Sequence, residues 1–267
     1  MRAYEWIVCG YFAYLIVLAR VQPLSATRRN RVLVVGLVCI GLVFVLSQLR
    51  LQLPMRIARD WVPCIYLLQG YWMSGLFFRR PMPGVEDRLL RLDGRLLGAL
   101  RMDAVVGRTP APVLELLELA YLCAYPLVPA TFALIHGAGL RGQADQFWTP
   151  VLLAAFACYG LLPWIQTRPP RTIEPPGSMD RRGLALRRLN RAVLERASVQ
   201  VNTFPSGHAA TALAAALAAG ELMPALVLPL LATAGAIALS TVVGRYHYAA
   251  DTIVGLAVGA GAWWLTT

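Results

Sequence analysis

Two histidines of this chain stand in marked turns. His208 closes the run Phe204-Pro205-Ser206-Gly207-His208, and His247 sits in Arg245-Tyr246-His247-Tyr248, four residues before Asp251. Each lies at the mouth of an apolar run, where polar groups are costly and usually mark function. On a helix that starts near His247, residues 247 and 251 share a face. A carboxylate beside one imidazole nitrogen fixes the tautomer and stabilises the charged ring, leaving the other nitrogen as nucleophile or base. The plainer alternative is a His–Asp pair that only holds the helix start. A second histidine in a similar turn favours chemistry.

Pro205-Ser206-Gly207 reads as a helix entry: Pro suits the first helical position, Ser caps, and Gly permits close backbone approach. Helix N-termini bind phosphate through their N–H groups and dipole. Arg168, Arg171 and Arg245 can add the guanidinium charge that a phosphate requires. Singly, each is more readily a topology charge or a lipid contact; as a set beside two histidines they point to phosphate. No metal cage is discernible around His247, and no cofactor is expected. His136, the third histidine, has no ligand-type neighbour and reads as structural. The chemistry these residues fit is metal-free phosphoryl transfer, in which positioning and charge stabilisation carry catalysis.

The elements that must position these groups are membrane helices. The chain has 267 residues, is 58% hydrophobic and only 15% charged, with net charge +11 carried entirely by arginine. That composition excludes an ordinary soluble domain and makes the basic excess a matter of membrane surface, not nucleic acid. Eight runs approach the ~20 residues that a spanning helix needs. They cover about 3–19, 32–49, 61–78, 112–135, 148–165, 206–222, 224–243 and 248–266. The first resembles a signal peptide but lacks a good cleavage site and is read as a helix. The third carries Pro63 and Gly70 and could be re-entrant. The five cysteines lie within apolar runs and read as small buried hydrophobes.

Residues 79–111 and 166–204 are polar connections. In the first, Leu89, Leu92, Leu96 and Leu100 recur beside Arg88, Arg91, Arg95 and Arg101, the pattern of a helix lying in the membrane interface. Gly255 and Gly259, four apart in the last run, suit close helix packing. In an up-and-down chain, Arg168–Arg171, Pro205–His208 and Arg245–Asp251 fall on one face, as a composite site requires.

These motifs resemble the type-2 phosphatidic acid phosphatase superfamily, and Arg245-Tyr246-His247-Tyr248 with Asp251 is most similar to its inositol phosphorylceramide synthase-like branch. Arg59-Asp60-Trp61 with Pro63 is similar to that branch too. The resemblance spans roughly 59–267. It implies an all-α, polytopic membrane helix bundle: a six-helix phosphatase-like catalytic domain at 59–267, behind a transmembrane hairpin at 1–58. It further implies that His247 attacks phosphorus to form a phosphohistidine, that Asp251 orients it, and that His208 protonates the leaving alkoxide. Ser206, Gly207, Arg168 or Arg171, and Arg245 are implied to hold the phosphate oxygens. Two positions depart from the family pattern. Leu161 stands where the first motif usually has Lys, and Thr241 stands where the third usually has Arg, with Arg245 as its apparent substitute.

The expected function is that of an integral-membrane phosphatase acting on a lipid phosphomonoester or pyrophosphate. The alternative within the same chemistry is a lipid phosphotransferase that passes the phosphoryl group or phospho-headgroup to an alcohol. An alternative of another class is a membrane transporter or scaffold without turnover. The partners expected are the bilayer and its lipid substrate, with no nucleic acid. Twenty of the 25 arginines fall on the motif face, so the positive-inside rule leans the site towards the cytoplasmic side of a cell membrane.

Overall fold

A chain out of water must satisfy its backbone polar groups internally, and helices do so within one segment. The computed structural model, which describes residues 1–48, 53–199, 201–202 and 204–267, is accordingly helical, with no strand among the described residues. Arg50 and the end of the second apolar run lie outside them.

The first helices, α1 (Ala3–Val21) and α2 (Ala26–Gln48), form a hairpin. Next come α3 (Leu53–Trp61) and α4 (Pro63–Gly75), separated at Val62 because a proline N–H is missing and its ring disfavours helix before it. The connection to the next long helix folds into α5 (Pro83–Ala99) and α6 (Met102–Arg108), joined at Arg101 with φ 47°. After these, α7 (Ala111–Gly137) runs 27 residues through Pro126 and Pro129, and α8 (Ala144–Leu161) follows. The second long connection holds a four-residue α9 (Ser178–Arg181) and α10 (Ala185–Ala197). The chain closes with α11 (Gly207–Leu222), α12 (Val227–Val243) and α13 (Ala249–Trp264).

The architecture is the expected all-α bundle. By length and composition, four helical stretches among the described residues are apolar and long enough to cross a membrane: Ala3–Val21, Ala26–Gln48, Ala111–Gly137 and Pro224–Val243. The other expected crossings are shorter or less apolar. The α11 and α13 helices have 16 residues each, and the third run is cut to 13 in α4.

The alanine-rich α11 is the centre of the bundle, packed by α13, α12, α8 and α7. Its neighbours come close because α13 is notched. A Cβ on Gly255 would stand 2.5 Å from the Ser206 carbonyl, and one on Gly259 would stand 2.4 Å from that of Ala210. The glycines at helical spacing therefore set the distance between α11, which carries His208, and α13, which carries Asp251.

Side-chain contacts fix which elements share an end of the bundle. At one end Arg59 pairs with the buried Glu5, Arg2 with Asp60, and Asp145 accepts from the amides of Ala3 and Tyr4. At the other, Arg28 donates to the Phe78 carbonyl, and Gln166 accepts from the Arg79 amide. The segment from Arg59 to Phe78 thus crosses the bundle from end to end despite its break. Arg59 and Asp60 lie at the end away from the motif turns, where they fasten α1 to the remainder.

Candidate active site

The three motif segments converge at one end. The Thr167 carbonyl accepts from the Asn202 amide, the Asp251 carbonyl from the Ser206 amide, and the Arg245 carbonyl from the Arg171 amide. Tyr248 adds a fourth tie, its hydroxyl donating to the Arg168 carbonyl at 2.9 Å. Here His247 Nε2 lies 3.4 Å from His208 Nδ1.

His208 is placed by the start of α11, and His247 by the turn between α12 and α13. Ser206 caps α11, its hydroxyl accepting from the Ala209 amide at 3.4 Å. Pro205 stands one residue before that cap and not at the first helical position, where the sequence had placed it. Gly207 passes so near Tyr159 that a Cβ would meet the ring at 2.6 Å. His247 is held through its amide, which together with that of Tyr246 donates to the Thr241 carbonyl. Behind it, Asp251 is fully buried in the first turn of α13. Its Oδ2 is 3.5 Å from His247 Nδ1, within ion-pair range. The pair does not form a hydrogen bond, and Nδ1 has no hydrogen-bond partner among the described residues. The carboxylate is itself fixed by Asn202, whose Nδ2 donates to Oδ2 at 2.7 Å. Burial pushes the His247 imidazole down to about 3, and the nearby Arg171 charge adds to the shift. The ring is therefore neutral at physiological pH, with a lone pair on one nitrogen.

The arginines divide. Arg171 has no carboxylate partner among the described residues; its guanidinium lies over the Tyr246 ring, 5.3 Å from the centroid, and reaches the Tyr246 carbonyl at 3.5 Å. Tyr246 in turn stacks on Tyr121 at 3.7 Å, and Tyr121 is 5.4 Å from the His208 ring. Arg168 instead forms a bidentate pair with Glu86, and its amide donates to the same carboxylate. Burial pushes the Glu86 carboxyl up, but the Arg168 contacts outweigh it, and the net shift is below the usual range. Arg245 is gripped by Glu174 on one edge and Asp93 on the other. Thr241 offers no guanidinium; its hydroxyl pairs with that of Thr252.

Several residues here carried no motif signal. Tyr121 and Tyr125 both flank His208. Glu118, buried in α7, accepts from the Tyr246 hydroxyl at 2.5 Å, from Asn190, and from Arg187, which is buried too. Glu86 and Asp93 sit on α5, beside its leucine stripe. Leu92 and Leu96 are 40% and 39% exposed, whereas Glu86 and Asp93 are 2% and 1%. The helix thus turns Leu92 and Leu96 outward with Asp87, and Glu86, Leu89 and Asp93 into the protein. His136 is away from all this, against Trp61 and Phe132.

A cavity of about 610 Å³ adjoins the site, walled by Arg171, Arg245 and Arg187 and by apolar side chains of α5, α6 and α9 such as Leu97, Met102 and Met179. Neither histidine lines it.

A membrane-type helix bundle with paired imidazoles at a helix start is the class this geometry defines. The comparisons agree: the PAP2 superfamily is matched over residues 87–265, more than half of the chain. The protein belongs to the PAP2 superfamily, and with it to enzymes of the phosphatase and phosphotransferase kind. No curated protein and no solved structure matches the chain.

Proposed function

We propose that the protein is an integral-membrane phosphatase that hydrolyses a lipid phosphomonoester or pyrophosphate through a phosphohistidine on His247, without metal. The observation that carries this reading is the 3.4 Å approach of His247 Nε2 to His208 Nδ1, with a buried carboxylate behind one ring and the Arg171 guanidinium nearby. A phosphoryl group that parts the rings has a nucleophile on one side and a proton donor on the other. His247 Nε2 attacks phosphorus as the P–O bond to the alcohol breaks. His208 gives its proton to the departing oxygen, then takes one from the water that cleaves the P–N bond. Asp251 holds the His247 ring and stabilises the charge that develops on it. Arg171 and the N-terminus of α11, with Ser206 and Gly207, bind the equatorial oxygens. Arg168 and Arg245 can join only by giving up Glu86, Glu174 or Asp93. The site end carries most of the arginine, which supports a cytoplasmic orientation.

A second reading, transfer to an alcohol in the manner of the inositol phosphorylceramide synthase-like branch, draws on the cavity beside Arg171. Its volume suits a drug-sized molecule, a second substrate taking the place of water.

The test is phosphate release from phosphatidate, polyprenyl phosphates and sphingoid phosphates by purified protein in detergent. Turnover is expected to survive chelator and to be inhibited by vanadate. His247→Ala and His208→Ala are each expected to lower it by at least ~10²-fold. Full activity in both variants refutes the mechanism. Product analysis with and without added alcohol separates hydrolysis from transfer.

A further inference from the structure

We propose that Asp93 is a positioning residue for His247, and that α5 thereby acts as part of the catalytic frame; this rests on the phosphohistidine reading above. Asp93 is almost fully buried. One of its oxygens accepts from the Ala249 amide at 2.8 Å, and the other from Arg245 Nη1 at 2.7 Å. His247 lies midway in sequence, two residues from each contact, so a single carboxylate brackets the nucleophile's turn.

The turn requires such a brace. Arg245 has φ 58°, a left-handed conformation that residues with a Cβ avoid. On its inner side the turn is suspended from the Thr241 carbonyl, which takes the amides of Tyr246 and His247. Asp93 supplies the outer fastening and fills the role of an N-terminal acid for α13 from another helix. Glu174 also binds Arg245, but its side chain is 36% exposed and it holds none of the turn's amides. Glu86, seven residues before Asp93, acts in parallel on the Arg168 amide and guanidinium. A displaced imidazole loses its line of attack, so the effect falls on the chemical step and not on substrate capture.

The experiment compares Asp93→Ala, which loses both contacts, with Asp93→Asn, which keeps an oxygen for the Ala249 amide but no charge for Arg245. Steady-state kinetics on a lipid phosphate are paired with single-turnover trapping of phosphohistidine in alkali and with thermal unfolding. In the alanine variant kcat and the rate of phosphohistidine formation are expected to fall about 10²-fold, with KM within about three-fold. The asparagine variant is expected to lose roughly ten-fold at an unchanged thermal midpoint, and Glu174→Gln to keep the wild-type kcat. A wild-type protein that never forms phosphohistidine removes the reaction, and this proposal with it. Wild-type phosphohistidine with kcat of Asp93→Ala within about three-fold of normal overturns the role of Asp93 alone. So does a loss in both variants that merely tracks a lowered thermal midpoint.

Discussion

Arg171→Ala takes away the guanidinium that, of the three singled out, has no carboxylate partner among the described residues. Its contacts are the face of Tyr246 at 5.3 Å and the Tyr246 carbonyl at 3.5 Å. Little has to be broken before it can turn to a phosphate. A hydrogen bond to a charged group contributes about 1.5–3 kcal/mol, so losing one such contact in the transition state lowers kcat/KM roughly ten- to 150-fold. The lost contact with the Tyr246 ring weakens the fold by about 0.5–1 kcal/mol, small enough for the variant to be purified. Arg171→Lys restores charge without the planar fork and is expected to fall between. The assay is kcat/KM for phosphate release from a lipid phosphate in detergent, beside Arg168→Ala as a comparison. If Arg171→Ala stays within about three-fold of wild type while Arg168→Ala collapses, the phosphate is gripped on the Glu86 side and Arg171 is not its ligand.

Three further outcomes are expected. Arg187→Met leaves Glu118 buried without its ion partner and is expected to destabilise the protein by about 3–5 kcal/mol, seen as a lowered unfolding midpoint in detergent; an unchanged midpoint would show that Asn190 and Tyr246 suffice for that carboxylate. Gly255→Ala drives a methyl against the Ser206 carbonyl and is expected to cost about 1–3 kcal/mol and to lower kcat by displacing His208, whereas Gly261→Ala, which meets nothing within 4 Å, serves as the silent control in the same helix. The His247 ring, pushed down to about 3 by burial, is neutral above that value and gains a proton only as pH falls through it. Carbon-13 imidazole NMR, with only three histidines to assign, should therefore show no His247 titration between pH 5 and 8; a midpoint near 6.5 would contradict the buried environment.

The sequence exposed the two motif histidines because polar residues at the mouths of apolar runs have few other reasons to be there. Ser206, as a cap, and Gly255 and Gly259, as packing notches, were legible for the same local reason: neighbours in sequence decide what they do. The allocation of guanidinium groups was not. Arg168 meets a carboxylate 82 residues away and Arg245 one 152 away, and no spacing rule links such positions. On α5 the leucine stripe masked the acids next to it: Glu86 and Asp93 turn inward to Arg168 and Arg245, while Asp87, Arg88, Arg91 and Arg95 stay exposed. The third run, read from the sequence as a crossing that could be re-entrant, passes through the bundle: Pro63 sets where α4 begins, and the bonds of Arg59 at one end and of the Phe77–Arg80 turn at the other fix its two ends.

The far end of the bundle also holds both ends of the chain. Asp145 binds the amides of Ala3 and Tyr4, its neighbour Gln146 donates to Glu221, and Glu221 accepts from the indole of Trp263. Affinity handles fused at either end therefore emerge together, opposite the histidines. In sealed vesicles, a protease that clips one handle should clip both, and a water-soluble inhibitor of turnover should then have to act from the other compartment. Handle accessibility alone thus reports the sidedness of the chemistry, with no need to label the reactive groups.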